Sequence, residues 1–171
     1  VFEKNAEPGG MLRYGIPSYK LDKEVIKAEI DVMREIGVEI KCGVEVGKDI
    51  TIDALRKQGY KGFYVAIGCQ GGRLPGIPGE DLEGTMTAID FLHEANCGGK
   101  KISGKVVVVG GGNVAIDAAR VAKRSGASEV KVLSQARENI LPASQERRRE
   151  AREDAVVINS GWGPVKVEGQ K

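Results

Sequence analysis

Hydrophobic positions along the chain switch between two periods. Behind Asp22, residues Val25, Ile26, Ile30, Met33 and Ile36 recur at helical spacing, and Gly37 stands where a helix stops. Val38-Glu39-Ile40-Lys41 alternates as a strand does, and Val44 and Val46 predict a second short strand ended by Gly47-Lys48-Asp49. Thr51 is placed to cap a short helix through Leu55, which Gly59 closes. Gly62 to Gly68 is an unbroken apolar run, the pattern of a strand buried on both faces. Pro8-Gly9-Gly10 and residues 70–79 read as loops. A short helix is predicted from Thr87 to Ala95, followed by a linker at Cys97-Gly98-Gly99-Lys100.

The second half is more regular. Lys105-Val106-Val107-Val108-Val109 is rich in β-branched residues and predicts a strand. Asn113 to Ser125 carries Val114, Ala118, Val121 and Ala122 on one face, with Gly126 as a stop. Val130 to Leu133 is the next strand, Pro142 and Ser144 open a very polar helix to about Glu153, and Ala155 to Ile158 is a further strand. Gly161-Trp162-Gly163-Pro164 reads as a turn, with Trp162 as a packing residue. Strands alternating with helices predict a parallel sheet in an α/β, three-layer, Rossmann-like architecture. The linker at Cys97–Lys100 places a domain boundary between residues 98 and 99.

Composition narrows the function classes. Glycine supplies 24 of 171 residues, about twice its usual share, and it clusters where a backbone turns tightly or meets a ligand. A net charge of +2 is no nucleic-acid footprint. Arg147, Arg148, Arg149 and Arg152, interleaved with Glu146, Glu150 and Glu153, read as a solvated helix with pairs three and four residues apart. Cys42, Cys69 and Cys97 are spaced too widely for a redox pair, a zinc site or a local iron–sulfur ligand run, so they read as buried free thiols in a reducing cytoplasm. No apolar run approaches the length of a membrane span. The chain opens on Val1-Phe2-Glu3 without an initiator Met and reads as a piece of a longer protein.

The sharpest chemical signal is Gly110-Gly111-Gly112-Asn113-Val114-Ala115, a G-x-G-x-x-A motif between a strand and a helix. Gly110 permits the tight turn, Gly112 lets a pyrophosphate reach the backbone, and Ala115 lets the helix pack on the sheet. The helix start then offers free N–H groups to the anionic diphosphate. Gln135 lies 25 positions after Gly110, at the end of the second strand, where an acid reads the ribose of NAD. Being neutral, it can hydrogen-bond a ribose hydroxyl but cannot balance a phosphate, which favours NAD(H). Arg137 is close enough in sequence to accommodate a 2′-phosphate instead. Glu3, at a strand end, and Ala66-Ile67-Gly68, at the end of the apolar run, mark a second nucleotide signature.

Together, Val1-Phe2-Glu3, Pro8 to Pro17, Val46 to Thr51, Ala66-Ile67-Gly68, Gly76 to Asp81, Gly110 to Ala115 and Leu141 to Ser144 resemble, in order, the glutamate synthase small-subunit family of flavoproteins. The resemblance spans nearly the whole chain. It implies an FAD-binding domain, partial here over residues 1–98, and an NAD(P)-binding Rossmann domain over 99–171. It further implies that Glu3 holds the FAD ribose, that Gly10, Met11 and Leu12 line the FAD, that Val46 approaches the adenine, and that Ala66, Ile67 and Gly68 cross near the flavin. Members of that family move electrons between NAD(P)H and iron–sulfur clusters through the flavin, so the clusters are expected in other segments or in a partner subunit. The family's NADP-binding members carry paired arginines where this sequence has Gln135-Ala136. Hydride transfer between bound cofactors requires no nucleophile or acid–base pair from the protein. The other reading is a nucleotide-binding module without turnover that regulates a partner complex.

Overall fold

The computed structural model describes residues 1–169. Contacts divide the chain into two compact units, Val1–Gln70 and Gly71–Lys171.

In the first unit, strand β1 (Phe2–Glu3) pairs in parallel with β2 (Lys41–Cys42), matching Phe2 to Lys41 and Glu3 to Cys42. Between them lie helices α1 (Gly10–Tyr14) and α2 (Lys23–Glu35), and α3 (Ile52–Lys57) follows. The predicted caps form: Asp22 accepts from the Glu24 amide at 3.0 Å, and Thr51 Oγ1 accepts from the Ala54 amide at 3.1 Å. The loop expected at Pro8-Gly9-Gly10 forms over Pro8 and Gly9 and leads into α1 at Gly10, with Gly9 (φ 125°) and Gly10 (φ 51°) in backbone conformations that other residues rarely adopt. Tyr14 is buried, and its hydroxyl donates to the Glu7 carbonyl at 2.9 Å and accepts from the Glu7 amide at 3.1 Å. Lys23 Nζ closes the other end of α1, donating to the carbonyls of Leu12 (3.0 Å) and Ile16 (2.5 Å).

Two expected strands do not form here. Val46 makes only a single bridge, with Ile50. Residues 62–68 form no regular secondary structure and are exposed rather than a buried strand, with Tyr64 94% and Ile67 80% exposed. Propensity marks such a segment as able to be a strand, but only a hydrogen-bonded neighbour makes it one. Among the described residues, the only ladder of this unit is the two-residue pairing of β1 with β2.

The second unit is a β-α-β-α-β arrangement on an all-parallel sheet. Helix α4 (Ala88–Gly98) leads into β3 (Lys105–Val109), α5 (Asn113–Arg124), β4 (Glu129–Ser134), a 3-10 turn at Glu138–Ile140, α6 (Gln145–Glu153) and β5 (Val157–Ser160). The sheet order is β3-β4-β5 and every pairing is parallel, with Val106 opposite Val130 and Val132 opposite Ile158. The core joins Phe91 and Leu92 of α4, Ile116, Ala118, Ala119 and Ala122 of α5, and Val130 and Val132 of β4. Alanines on the inner face of α5 let its axis approach the sheet closely.

That core relocates the expected boundary. The residues read as a linker continue α4 through Gly98, and Gly99 (φ 61°) caps it in the left-handed conformation. Because Phe91 and Leu92 pack into the second unit, the compact units divide at 70/71 rather than at 98/99.

The polar helix α6 also differs from its solvated reading. Only Arg149–Glu153 pairs along the helix. Arg147 reaches Asp117 of α5 at 2.6 Å, and Arg148 and Arg152 reach Glu138. Arg120 of α5, nearly buried, donates to Glu150 and to Asp154 (2.6 Å), and Arg124 donates to Asp154 at 3.0 Å. The charges therefore dock α6 on α5. Of the three thiols, Cys42 is half-buried while Cys69 and Cys97 are exposed, against the expectation of burial. Cys69 follows the exposed segment 62–68, and Cys97 occupies the last turn of α4. No helix among the described residues is long and apolar enough to cross a membrane.

Candidate functional site

The glycine loop sits where β3 meets α5, and each of its glycines has a separate physical reason. Gly110 takes φ 141°, a tight-turn conformation, and its amide donates to the Leu133 carbonyl at 2.8 Å, tying the loop to β4. Ala115 is buried, and a methyl at Gly110 would lie 3.2 Å from its Cβ. Gly111 has no such conformational need, but a methyl there would stand 2.3 Å from Ser134 Oγ and 3.0 Å from Leu141 Cδ2. At Gly112 nothing lies within 4 Å of a hypothetical Cβ, so this face of the backbone opens outward.

Gly112 is the N-cap of α5 and supplies no side-chain cap, leaving the first amides of Asn113, Val114 and Ala115 for another acceptor. Val114 is half-exposed beside them. Asn113 acts as a brace between helices. Its Oδ1 accepts the Ser144 amide at 3.2 Å, while Ser144 Oγ caps α6 through the Arg147 amide at 3.3 Å. The starts of α5 and α6 are thus held together beside the loop.

An open cleft of about 380 Å³ lies over the carboxyl ends of β3 and β4. Val109, Gly110 and Gly111 form one side, and Leu133, Ser134, Gln135 and Ala136 another. Pro142, Trp162, Pro164, Pro75 and Ile77 complete a largely apolar wall. Gln135 turns its side chain over Gly163, where a Cβ would stand 2.7 Å from Nε2. Arg137 is exposed at the start of the 3-10 turn and lies outside the cleft lining. The structure therefore brings Gly110 and Gln135 to one cleft, beside the α5 start that carries Gly112, Asn113, Val114 and Ala115, and leaves Arg137 aside. Carboxyl ends of parallel strands are where open α/β sheets take ligands.

Sequence reasoning missed three residues of this cleft region. Gly111 reads as the variable position of its motif, Ser134 as the last residue of a strand, and Trp162 as core packing. Trp162 is instead 66% exposed along the cleft. The glycines flanking it on both sides were the available signal: Gly161 takes φ 78°, and Gly163 makes room for Gln135.

Ion pairs fix α6 against α5. Burial works to raise the Asp154 carboxyl, but hydrogen bonds from Arg124 and Arg120 outweigh it and hold the group below its ordinary value. Among the described residues no cluster of three or more His, Cys, Asp or Glu side chains has a metal-holding arrangement.

In the first unit, Glu3 ends β1 and its Oε1 accepts the Asn5 amide (2.8 Å) and side chain (2.9 Å). Its carbonyl accepts the Val44 amide at 3.0 Å, which draws the Val44–Val46 stretch to it. Gly10, Met11 and Leu12 form the first turn of α1, with Met11 folded against Gly15 and Leu12 half-exposed. Ala66, Ile67 and Gly68 stand on an exposed segment without regular secondary structure.

Residues 47–170 match the family model described as pyridine nucleotide-disulphide oxidoreductase. The chain is 36% identical over 173 residues to the NAD-dependent dihydropyrimidine dehydrogenase subunit PreT of Escherichia coli (strain K12), covering 100% of this chain and 41% of that protein. It is 36% identical over 181 residues to the glutamate synthase [NADPH] small chain of Halomonas elongata, covering 99% of this chain and 38% of that one. It thus spans about two fifths of the length of these relatives. Among solved structures, Mycobacterium tuberculosis FprA in complex with NADPH superposes with a TM-score of 0.80 at 19% identity, over 99% of this chain and 54% of FprA, and shares its Rossmann-like α/β fold. With the family model covering most of its length, this chain belongs to the pyridine nucleotide-disulphide oxidoreductase family.

Proposed function

We propose that the cleft over β3 and β4 binds NAD(H), and that the protein is a flavin-dependent oxidoreductase passing electrons between this nucleotide and an iron–sulfur acceptor in another segment or a partner subunit. The observation that carries the reading is the joining of an uncapped helix start, a Gly112 backbone open to the outside, and a cleft at the carboxyl ends of two parallel strands. The diphosphate takes the amides of Asn113, Val114 and Ala115, where aligned peptide dipoles favour negative charge. Gly110 and Gly111 keep side chains out of its path, and Gln135 hydrogen-bonds the adenosine ribose. When bound, the nicotinamide supplies a hydride and the flavin accepts it. The protein's share is to hold both and exclude water.

The names of the relatives point to both nucleotides: PreT is NAD-dependent, the glutamate synthase chain is an NADPH enzyme, and FprA binds NADPH. Gln135 inside the cleft and Arg137 outside it support NAD(H) for this chain. The FAD assignment gives the ribose to Glu3, the adenine side to Val46, and the remaining contacts to Gly10, Met11, Leu12, Ala66, Ile67 and Gly68. It is supported by the position of Glu3 at the carboxyl end of a parallel strand. The two relatives are described as a subunit and a small chain, which supports a partner-subunit acceptor.

A calorimetric titration of the full chain with NADH and NADPH at one ionic strength tests the nucleotide reading. NADH is expected to bind about tenfold tighter or better, a difference of about 1.4 kcal/mol, and Gln135→Arg to move the preference toward NADPH. Tighter NADPH binding by the unaltered chain would overturn the NAD(H) assignment. Binding of neither would remove the site.

A further inference from the structure

Trp162 is the only tryptophan in the chain, and it stands 66% exposed on the cleft. An indole left in water forgoes a large apolar gain, so its position asks for an explanation. Its backbone is not loose. The Trp162 amide donates to the Ser134 carbonyl at 2.9 Å, and the Gly161 amide donates to the Ala136 carbonyl at 3.1 Å. These bonds clasp the turn to the end of β4 on either side of Gln135. Gly163 adds a third tie by receiving the Gln135 side chain where a Cβ would collide. The backbone that carries the indole is therefore held beside Gln135. The neighbouring wall, formed by Pro142, Pro164, Pro75 and Ile77, carries no charge.

We infer that Trp162 is the stacking platform for the adenine of the bound dinucleotide, a specificity-determining residue for the adenosine end. This rests on the dinucleotide reading above. A planar base fits an uncharged cleft walled by prolines and an indole, whereas the diphosphate belongs at the amides of α5. The base that reaches Trp162 is the one attached to the ribose at Gln135, which is adenine rather than nicotinamide.

The test uses ADP-ribose and nicotinamide mononucleotide as separate ligands for the full chain. With a single indole, emission reports this site alone. ADP-ribose is expected to quench it, and nicotinamide mononucleotide to leave it unchanged. Trp162→Ala is expected to weaken ADP-ribose binding at least about tenfold by calorimetry, as loss of one base–aromatic stack does. Trp162→Phe, which keeps a ring face, is expected to retain most of the affinity. ADP-ribose binding without quenching overturns the inference and leaves the nucleotide site standing, as does equal affinity in the alanine variant. Failure of the unaltered chain to bind either ADP-ribose or NADH overturns the dinucleotide reading and the platform with it. Quenching is read on the unaltered protein, so misfolding of the alanine variant does not blunt the test.

Discussion

A methyl group placed on Gly111 meets Ser134 and Leu141, while one placed on Gly112, the next residue, meets open space. Gly111→Ala is expected to lower stability by about 1–3 kcal/mol through overpacking. Gly112→Ala, at φ −89° and ψ 174°, is expected to melt as the unaltered chain does yet lose about tenfold in NADH affinity. Thermal melting and nucleotide titration of the two variants side by side check both outcomes. The contrast also shows what single residues disclose from sequence. Gly110 and Gly112 are legible because their demands are local to a motif of known geometry. Gly111 is not, because its constraint comes from Ser134, which lies 23 positions away and across the sheet. Trp162 is obscured for the same reason: its amide partner is Ser134, and only the folded sheet brings the two together.

Helices with a capping side chain and strands of β-branched residues were legible where their partners exist within the same unit. Helices α2, α3 and α5 begin at the residues expected from their caps and glycine loop, and β3 spans the expected valine run. The run from Gly62 to Gly68 has the same apolar character as β3 but no ladder among the described residues, so propensity alone misplaced it. For α6, composition disclosed a helix but not its docking, because the partners Asp117, Arg120 and Arg124 lie on another element. That docking is pH-dependent. The Asp154 carboxyl is held below its ordinary value of 3.8, so it stabilises the fold fully above that value. The contribution is lost as pH falls through the lower, folded value. Asp154→Asn is expected to cost about 2 kcal/mol at neutral pH, the scale of hydrogen bonds to charged groups. It is also expected to flatten the loss of stability as pH falls below the ordinary carboxylate range. Acid denaturation curves of the two proteins, followed by circular dichroism, check the sign.

At the scale of the whole molecule, the position of α4 decides which pieces of the chain stand alone. Phe91 and Leu92 are buried in the second unit, with Leu92 only 2% exposed. Residues 71–171 are expected to fold as a cooperative unit. A piece starting at residue 99 would lose two large buried side chains, about 3–6 kcal/mol of apolar burial, and is expected to melt without a cooperative transition. Calorimetric scans of the two pieces distinguish them. A boundary drawn at the glycine-rich Cys97–Lys100 stretch follows composition, and composition does not record that the helix before it belongs to the core after it. The uncapped start of α5 has a further consequence, in mass action. An acceptor that binds those amides only in the folded state draws the folding equilibrium toward itself. At a hundred times its dissociation constant such a ligand adds about 2.7 kcal/mol. The melting temperature is then a readout of dinucleotide concentration, and the protein's lifetime in a cell becomes coupled to the size of the nucleotide pool.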